Sequence, residues 1–166
     1  MRCWLQRVFC FTSVPQATKQ RYFALLDTLD SEQCFTSAFL DQIVPLFFSP
    51  HTLSHQPHLI QDFRSALAAI KKERIPGITT LGRAIFSRSC LLNQLPRLFQ
   101  PTLFLTGKED IPRPPREAEE MFRYLPNAEL HLIDHAGHIS NLEQPDLVNS
   151  LLLTFLRNAC EAENPL

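Results

Sequence analysis

Apolar positions along this chain follow two different periods, and the change falls close to residue 99. Before it they recur every three or four residues, the spacing that lines one face of an α-helix. Phe23, Leu26 and Leu29 make one stripe, and Phe35, Phe39, Ile43 and Val44 make a second after Asp30 and Ser31, which read as a turn. Leu59, Ile60, Phe63, Leu67 and Ile70 make a third behind Pro57, and Pro76 opens a shorter helix with Ile78, Leu81 and Ile85. Val8, Phe9, Cys10 and Phe11 form a compact run with the look of a buried parallel strand.

Beyond residue 99, strand and helix patterns alternate, which predicts parallel strands joined by crossover helices. Residues 101–110 read as a buried strand ending in an acidic loop, and residues 130–138 as a second strand ending in a histidine loop. Between them Ala118, Met121, Phe122 and Leu125 recur at i, i+3, i+4 and i+7, behind Pro114 and Pro115. Pro126 stops that helix by disfavouring helical geometry in the residue before it. Pro145 starts the last helix, whose Leu147, Val148, Leu151, Leu152, Phe155 and Leu156 are expected to face a sheet. The fold class expected is α/β: a strand within 1–14, helices over 15–98, an α/β segment over 99–160 and a tail at 161–166.

Composition narrows the function classes. With 166 residues, an apolar fraction of 45% and a formal charge of −1, the chain is an ordinary globular sequence. Acidic and basic residues are interspersed, so no footprint for nucleic acid or an anionic membrane is expected. No apolar run has the length of a membrane span. Residues 1–14 are not read as a signal peptide, because Gln6 and Arg7 interrupt the apolar stretch and no small-residue cleavage site follows. Five cysteines, Cys3, Cys10, Cys34, Cys90 and Cys160, show no C-x-x-C spacing, which argues against a zinc site or a disulfide framework and favours a reducing cytoplasm.

The chemistry-bearing residues lie at the strand ends, where Asp110 and His138 have the placement of the acid and base of a serine-hydrolase triad. The serine itself has no matching turn. A nucleophile elbow needs G-x-S-x-G, and none of the four glycines, Gly77, Gly82, Gly107 and Gly137, flanks a serine in that pattern.

Residues 101–115, 125–130 and 136–145 together resemble the α/β-hydrolases, in particular the lid-bearing esterase and lactonase branch that includes 3-oxoadipate enol-lactonases. More weakly, residues 15–98 resemble that family's lid and residues 7–12 the strand before it. The resemblance implies a partial α/β-hydrolase fold comprising its C-terminal half, without the first five strands, the oxyanion-hole loop or the nucleophile serine. It further implies that Asp110 orients His138, that His138 is the general base, and that Gly137 lets the backbone bend to aim it. The reaction implied is hydrolysis of a small-molecule carboxylic ester or lactone, with no cofactor. The chain is expected to be inactive alone, as a truncated enzyme or one half of a split enzyme completed by an N-terminal partner. A non-catalytic interaction or ligand-binding module is the competing expectation.

Other residues compete with this pair. Glu109 and Asp134 are rival acids, the first beside Asp110 and the second too close in sequence to His138. Asn141 and Glu143 resemble the family's residues at the start of a helix, with a structural role preferred. His131, Asp134, His135 and His138 have a spacing that would suit zinc on a helix, but alternation over 128–133 favours a strand and Gly137 breaks a helix. No metal is expected. Cys90 has nothing in its sequence surroundings to make it a nucleophile.

Overall fold

A computed structural model of the chain describes residues 15–163. The expected strand at residues 8–11 lies outside them. The described part divides into a helical layer and an α/β segment. The layer contains α1 (Gln16–Glu32), α2 (Ser37–Phe47), α3 (Pro50–His55), α4 (Pro57–Ala68) and α5 (Ile75–Ser87). The α/β segment follows as β1 (Thr102–Gly107), α6 (Pro115–Tyr124), β2 (Ala128–Ile133), the short α7 (Ser140–Glu143) and α8 (Pro145–Glu163).

Each helix start has a local cause. Thr36 and Ser49 accept the N–H groups of Phe39 and Thr52 at 3.2 and 3.1 Å, filling the acceptor role that the first turn of α2 and of α3 lacks. Proline occupies the first turn of α3, α4, α5 and α6. There its fixed φ is already helical and its absent N–H costs no intrahelical bond.

Asp30 and Ser31 do not form a turn. Helix α1 runs through both and ends at Gln33, in the left-handed region at φ 56°, with its N–H on Leu29 O. Asp30 instead accepts from Thr79 Oγ1 at 2.6 Å and from Arg83 at 2.8 Å, tying α1 to α5. These tertiary bonds outweigh the local turn preference of an Asp-Ser pair. Gly82 allows the same two helices to meet, since a Cβ there would stand 2.7 Å from Leu26 Cδ2. Leu29, Phe35, Phe39, Leu40, Ile43 and Ile75 form the core of the layer. Leu81, expected on an inward stripe, is 62% exposed.

In the α/β segment β1 and β2 pair in parallel, Thr102 opposite Ala128 and Gly107 opposite Ile133. Helix α6 is their crossover. It turns Ala118 and Met121 inward and leaves Phe122 largely outside. Met121, Leu125 and Leu95 make one small core, and Ile133, Ala136 and Val148 make another, with α8 supplying Val148 and the partly buried Leu151. Leu147 does not face the sheet; it is exposed, one position round the helix from Val148. Helix α8 continues to Glu163, past the boundary expected at residue 160.

Candidate active site

Both strands stop level with one another, at Gly107 and Ile133, so the loops that follow start side by side. Lys108 N donates to Ile133 O at 2.9 Å and Glu109 N to Ala136 O at 3.0 Å, carrying the adjacency beyond the sheet. Gly107 is required by this approach: a Cβ on it would collide with the carbonyl oxygens of Ala136 and Gly137. The acid loop then turns back, Asp110 N bonding Gly107 O at 3.2 Å. That turn delivers the Asp110 carboxylate to His138.

His138 Nδ1 lies 2.9 Å from Asp110 Oδ2 and 3.1 Å from Oδ1. Asp110 is 8% exposed, and its Oδ1 also accepts the Arg113 N–H at 2.8 Å. A carboxylate offers only acceptors, so the neutral imidazole carries its proton on Nδ1 and presents an unprotonated Nε2. On the other side the ring packs against Phe47, centroid to centroid 5.5 Å.

The rival acids point elsewhere. Asp134 pairs with Lys108 at 2.6 Å on the surface, and the hydrogen bond from Lys108 holds its carboxyl below the usual range. Glu109 reaches the histidine loop through its backbone N–H. The four residues with zinc-like spacing do not converge. His131 sits in β2 opposite Leu105, with Glu129 at 3.5 Å, while His135 packs on His51 at 4.3 Å between centroids. Among the described residues, no group of three or more His, Cys, Asp or Glu is arranged to hold a metal ion. Cys90 is exposed, as are Cys34 and Cys160.

Gly137 has a different role from the expected one. The backbone bend falls at His135, whose φ is 54°, whereas Gly137 has no positive φ. What Gly137 permits is contact with the end of α2: a Cβ would stand 2.8 Å from Phe47 O and 3.0 Å from Ser49 N. In that space His138 N donates to Phe47 O at 2.8 Å.

Sequence reading missed the partners from the helical layer. Ser49 is fully buried, and its hydroxyl donates to His135 O at 3.0 Å. It is thereby committed to the loop backbone and is not a nucleophile for His138. The buried Glu143 accepts from Ser49 N at 2.8 Å and from Gly137 N at 2.7 Å. Tyr22 of α1 stacks on Phe86 at 4.4 Å, and burial pushes its hydroxyl up to about 12, with Asp110 and Glu117 adding to the rise. It stays a neutral phenol at neutral pH. For Ser49 the sequence signal is Ser49-Pro50, a helix-start signature, and Glu143 carries the resemblance to helix-entry residues; Tyr22 has neither.

No protein-family model matches the chain. Solved structures do. It superposes on a thermophilic esterase from Thermogutta terrifontis with a TM-score of 0.77 at 24% identity, over 90% of this chain and 53% of that one. It superposes on the enol-lactonase from Burkholderia xenovorans LB400 with a TM-score of 0.68 at 22% identity, over 83% of this chain and 49% of that one. The chain has part of the α/β-hydrolase fold. Among curated relatives, RutD of Agrobacterium fabrum is 30% identical over 116 residues, 68% of this chain and 42% of that protein. RutD of Stutzerimonas stutzeri is 31% identical over 67 residues, 40% of this chain and 25% of that protein. The chain thus spans about half the length of the solved hydrolases and less than half of these RutD proteins.

Proposed function

We propose that these residues supply the acid and general base of a serine hydrolase acting on a small-molecule carboxylic ester or lactone. The observation that carries the reading is the buried Asp110 carboxylate 2.9 Å from His138 Nδ1, at the ends of adjacent parallel strands. In this fold that is where the second and third triad members stand. Asp110 fixes the tautomer and faces the imidazolium that forms as Nε2 takes the serine proton; His138 then returns the proton to the leaving alkoxide. Asp110 orients the imidazole and does not itself take the proton.

The 166 residues contain no G-x-S-x-G, so the nucleophile and the oxyanion donors come from sequence beyond them, on the same polypeptide or on a complementary N-terminal half. Helices α1 to α5 serve as the lid over the substrate. The structural neighbours include an esterase and an enol-lactonase, and RutD proteins are named as carbamate hydrolases, which supports a substrate attacked at an acyl carbonyl. Three exposed free cysteines fit a reducing cytoplasm.

The test is reconstitution. Co-expression with an N-terminal half carrying G-x-S-x-G is expected to give hydrolysis of p-nitrophenyl acetate, while the 166 residues alone give none above background. His138→Ala or Asp110→Ala in the reconstituted enzyme is expected to lower kcat by about a thousandfold or more. Undiminished turnover in both variants would remove the assigned roles. Turnover by the 166 residues alone that vanishes with His138→Ala would show that the nucleophile lies within them.

A further inference from the structure

We propose that Glu143 is a positioning residue for His138, acting as an ionic clamp that couples the helical layer to the proton-transferring loop. The inference rests on His138 and Asp110 forming the acid–base pair proposed above. Glu143 is the other buried carboxylate of the described residues, 2% exposed, and that pair does not use it. Its two oxygens divide their work: Oε1 accepts from Gly137 N at 2.7 Å and Oε2 from Ser49 N at 2.8 Å. Gly137 precedes His138 directly. Ser49 follows Phe47 by two residues, and Phe47 O accepts the N–H of His138 at 2.8 Å.

These bonds close a ring. It runs from Gly137 to His138, across to Phe47, along the chain to Ser49, and back through the Glu143 carboxylate to Gly137. Two further bonds brace it, Ser49 Oγ to His135 O at 3.0 Å and Gln56 Nε2 to Glu143 O at 3.3 Å. The His138 main chain is therefore fixed on both sides, by β2 behind it and by α2 and α3 across from it. Only an ionised carboxylate of this reach serves both N–H groups. An amide offers one oxygen and turns an NH2 donor toward the second N–H, and an aspartate is one methylene short.

A residue that merely adds stability would loosen the whole fold and affect His138 only in proportion. The clamp makes a narrower claim, testable by NMR on the 166-residue chain with labelled histidine. The Nδ1 proton that His138 shares with Asp110 is the reporter. In Glu143→Gln we expect loss of that downfield resonance and exchange of the Ser49 and Gly137 amides faster by about tenfold or more. Leu29→Ala, which removes a buried side chain from the core of the helical layer and is expected to lower the unfolding midpoint, is expected to keep the resonance. Retention of the resonance in Glu143→Gln, or its equal loss in Leu29→Ala, would overturn the clamp. Should Glu143→Gln fail to fold, the unsubstituted chain decides: the Ser49 and Gly137 amides must show matching protection, and unequal protection would overturn the proposal. Asp110→Asn separates the two readings. A resonance that survives Asp110→Asn overturns the acid–base pair, and the clamp with it; one lost in Asp110→Asn but kept in Glu143→Gln overturns the clamp alone.

Discussion

The helical layer and the α/β segment are held together by different means. The layer has one broad apolar core, with six buried side chains from α1, α2, the loop between them and the start of α5. The α/β segment has two small cores of three buried residues each, and relies on paired strands and on loops in backbone contact. Side-chain packing resists loss of volume but tolerates small shifts of a helix. Backbone contact at hydrogen-bond distance tolerates almost none. The residues proposed as acid and base, Asp110 and His138, stand on the second kind of support, and the first kind reaches them through the end of α2.

The largest effect on stability should come from the layer's core. Ile75 is fully buried at the start of α5 against that cluster, so Ile75→Ala is expected to cost about 2–5 kcal/mol through lost burial and a residual cavity. Denaturant melts read by circular dichroism would measure it. If the two regions differ as argued, the folded variant keeps the His138 to Asp110 contact, seen in its imidazole signals. Loss of that contact at a temperature where the variant is still folded would mean that the layer's packing, not the backbone contacts, sets the site.

A smaller substitution in volume should do more harm to the site. Gly137→Ala adds one methyl against three main-chain atoms, Phe47 O, Phe48 C and Ser49 N, none of which is the end of a flexible side chain. Relief requires the histidine loop to move away from α2, at about 1–3 kcal/mol. The bond from His138 N to Phe47 O and the ring contact with Phe47 are expected to lengthen together. The measurement is a crystal structure of the variant, or altered chemical shifts confined to residues 47–49 and 136–139. Unchanged shifts there would show that the loops are not in firm contact.

The strand ends and the crossover helix were legible because each rests on a local pattern, whereas the pairing of Asp110 with His138 rested on the family resemblance. A two-residue or 3.6-residue alternation marks the element, and a polar residue just past a strand marks the loop. What was not legible depends on neighbours distant in sequence. Asp30 reads as a turn residue until Thr79 and Arg83 are placed beside it. Gly137 reads as a bend until the backbone of residues 47–49 fills the space over it. Glu143 reads as a local turn or cap side chain, yet it is nearly fully buried, with a partner 94 positions away. The short α3 that Ser49 caps leaves no periodic pattern, because six residues are too few to show one.

The smallest expected effect sharpens the comparison from the polar side of the layer. Asp30 joins α1 to α5 by accepting from Thr79 first and Arg83 second, and these bonds hold its carboxyl below the usual carboxylate range. A folded-state value below the unfolded one means that the ionised form is favoured by folding. Its contribution is therefore full above the unfolded value of about 4 and is lost as pH falls through the lower folded value. Asp30→Asn keeps an oxygen for Thr79 but gives up the charge that faces Arg83, which retains Asp27 at 2.6 Å. The unfolding midpoint of the variant should lie slightly below that of the parent at pH 7. The gap should narrow as the pH is lowered below about 4, and also with added salt, because the Arg83 side chain is partly open to solvent. Urea melts of both chains between pH 7 and pH 3 test this. A gap that stays constant across that range would place the role of Asp30 in shape rather than charge.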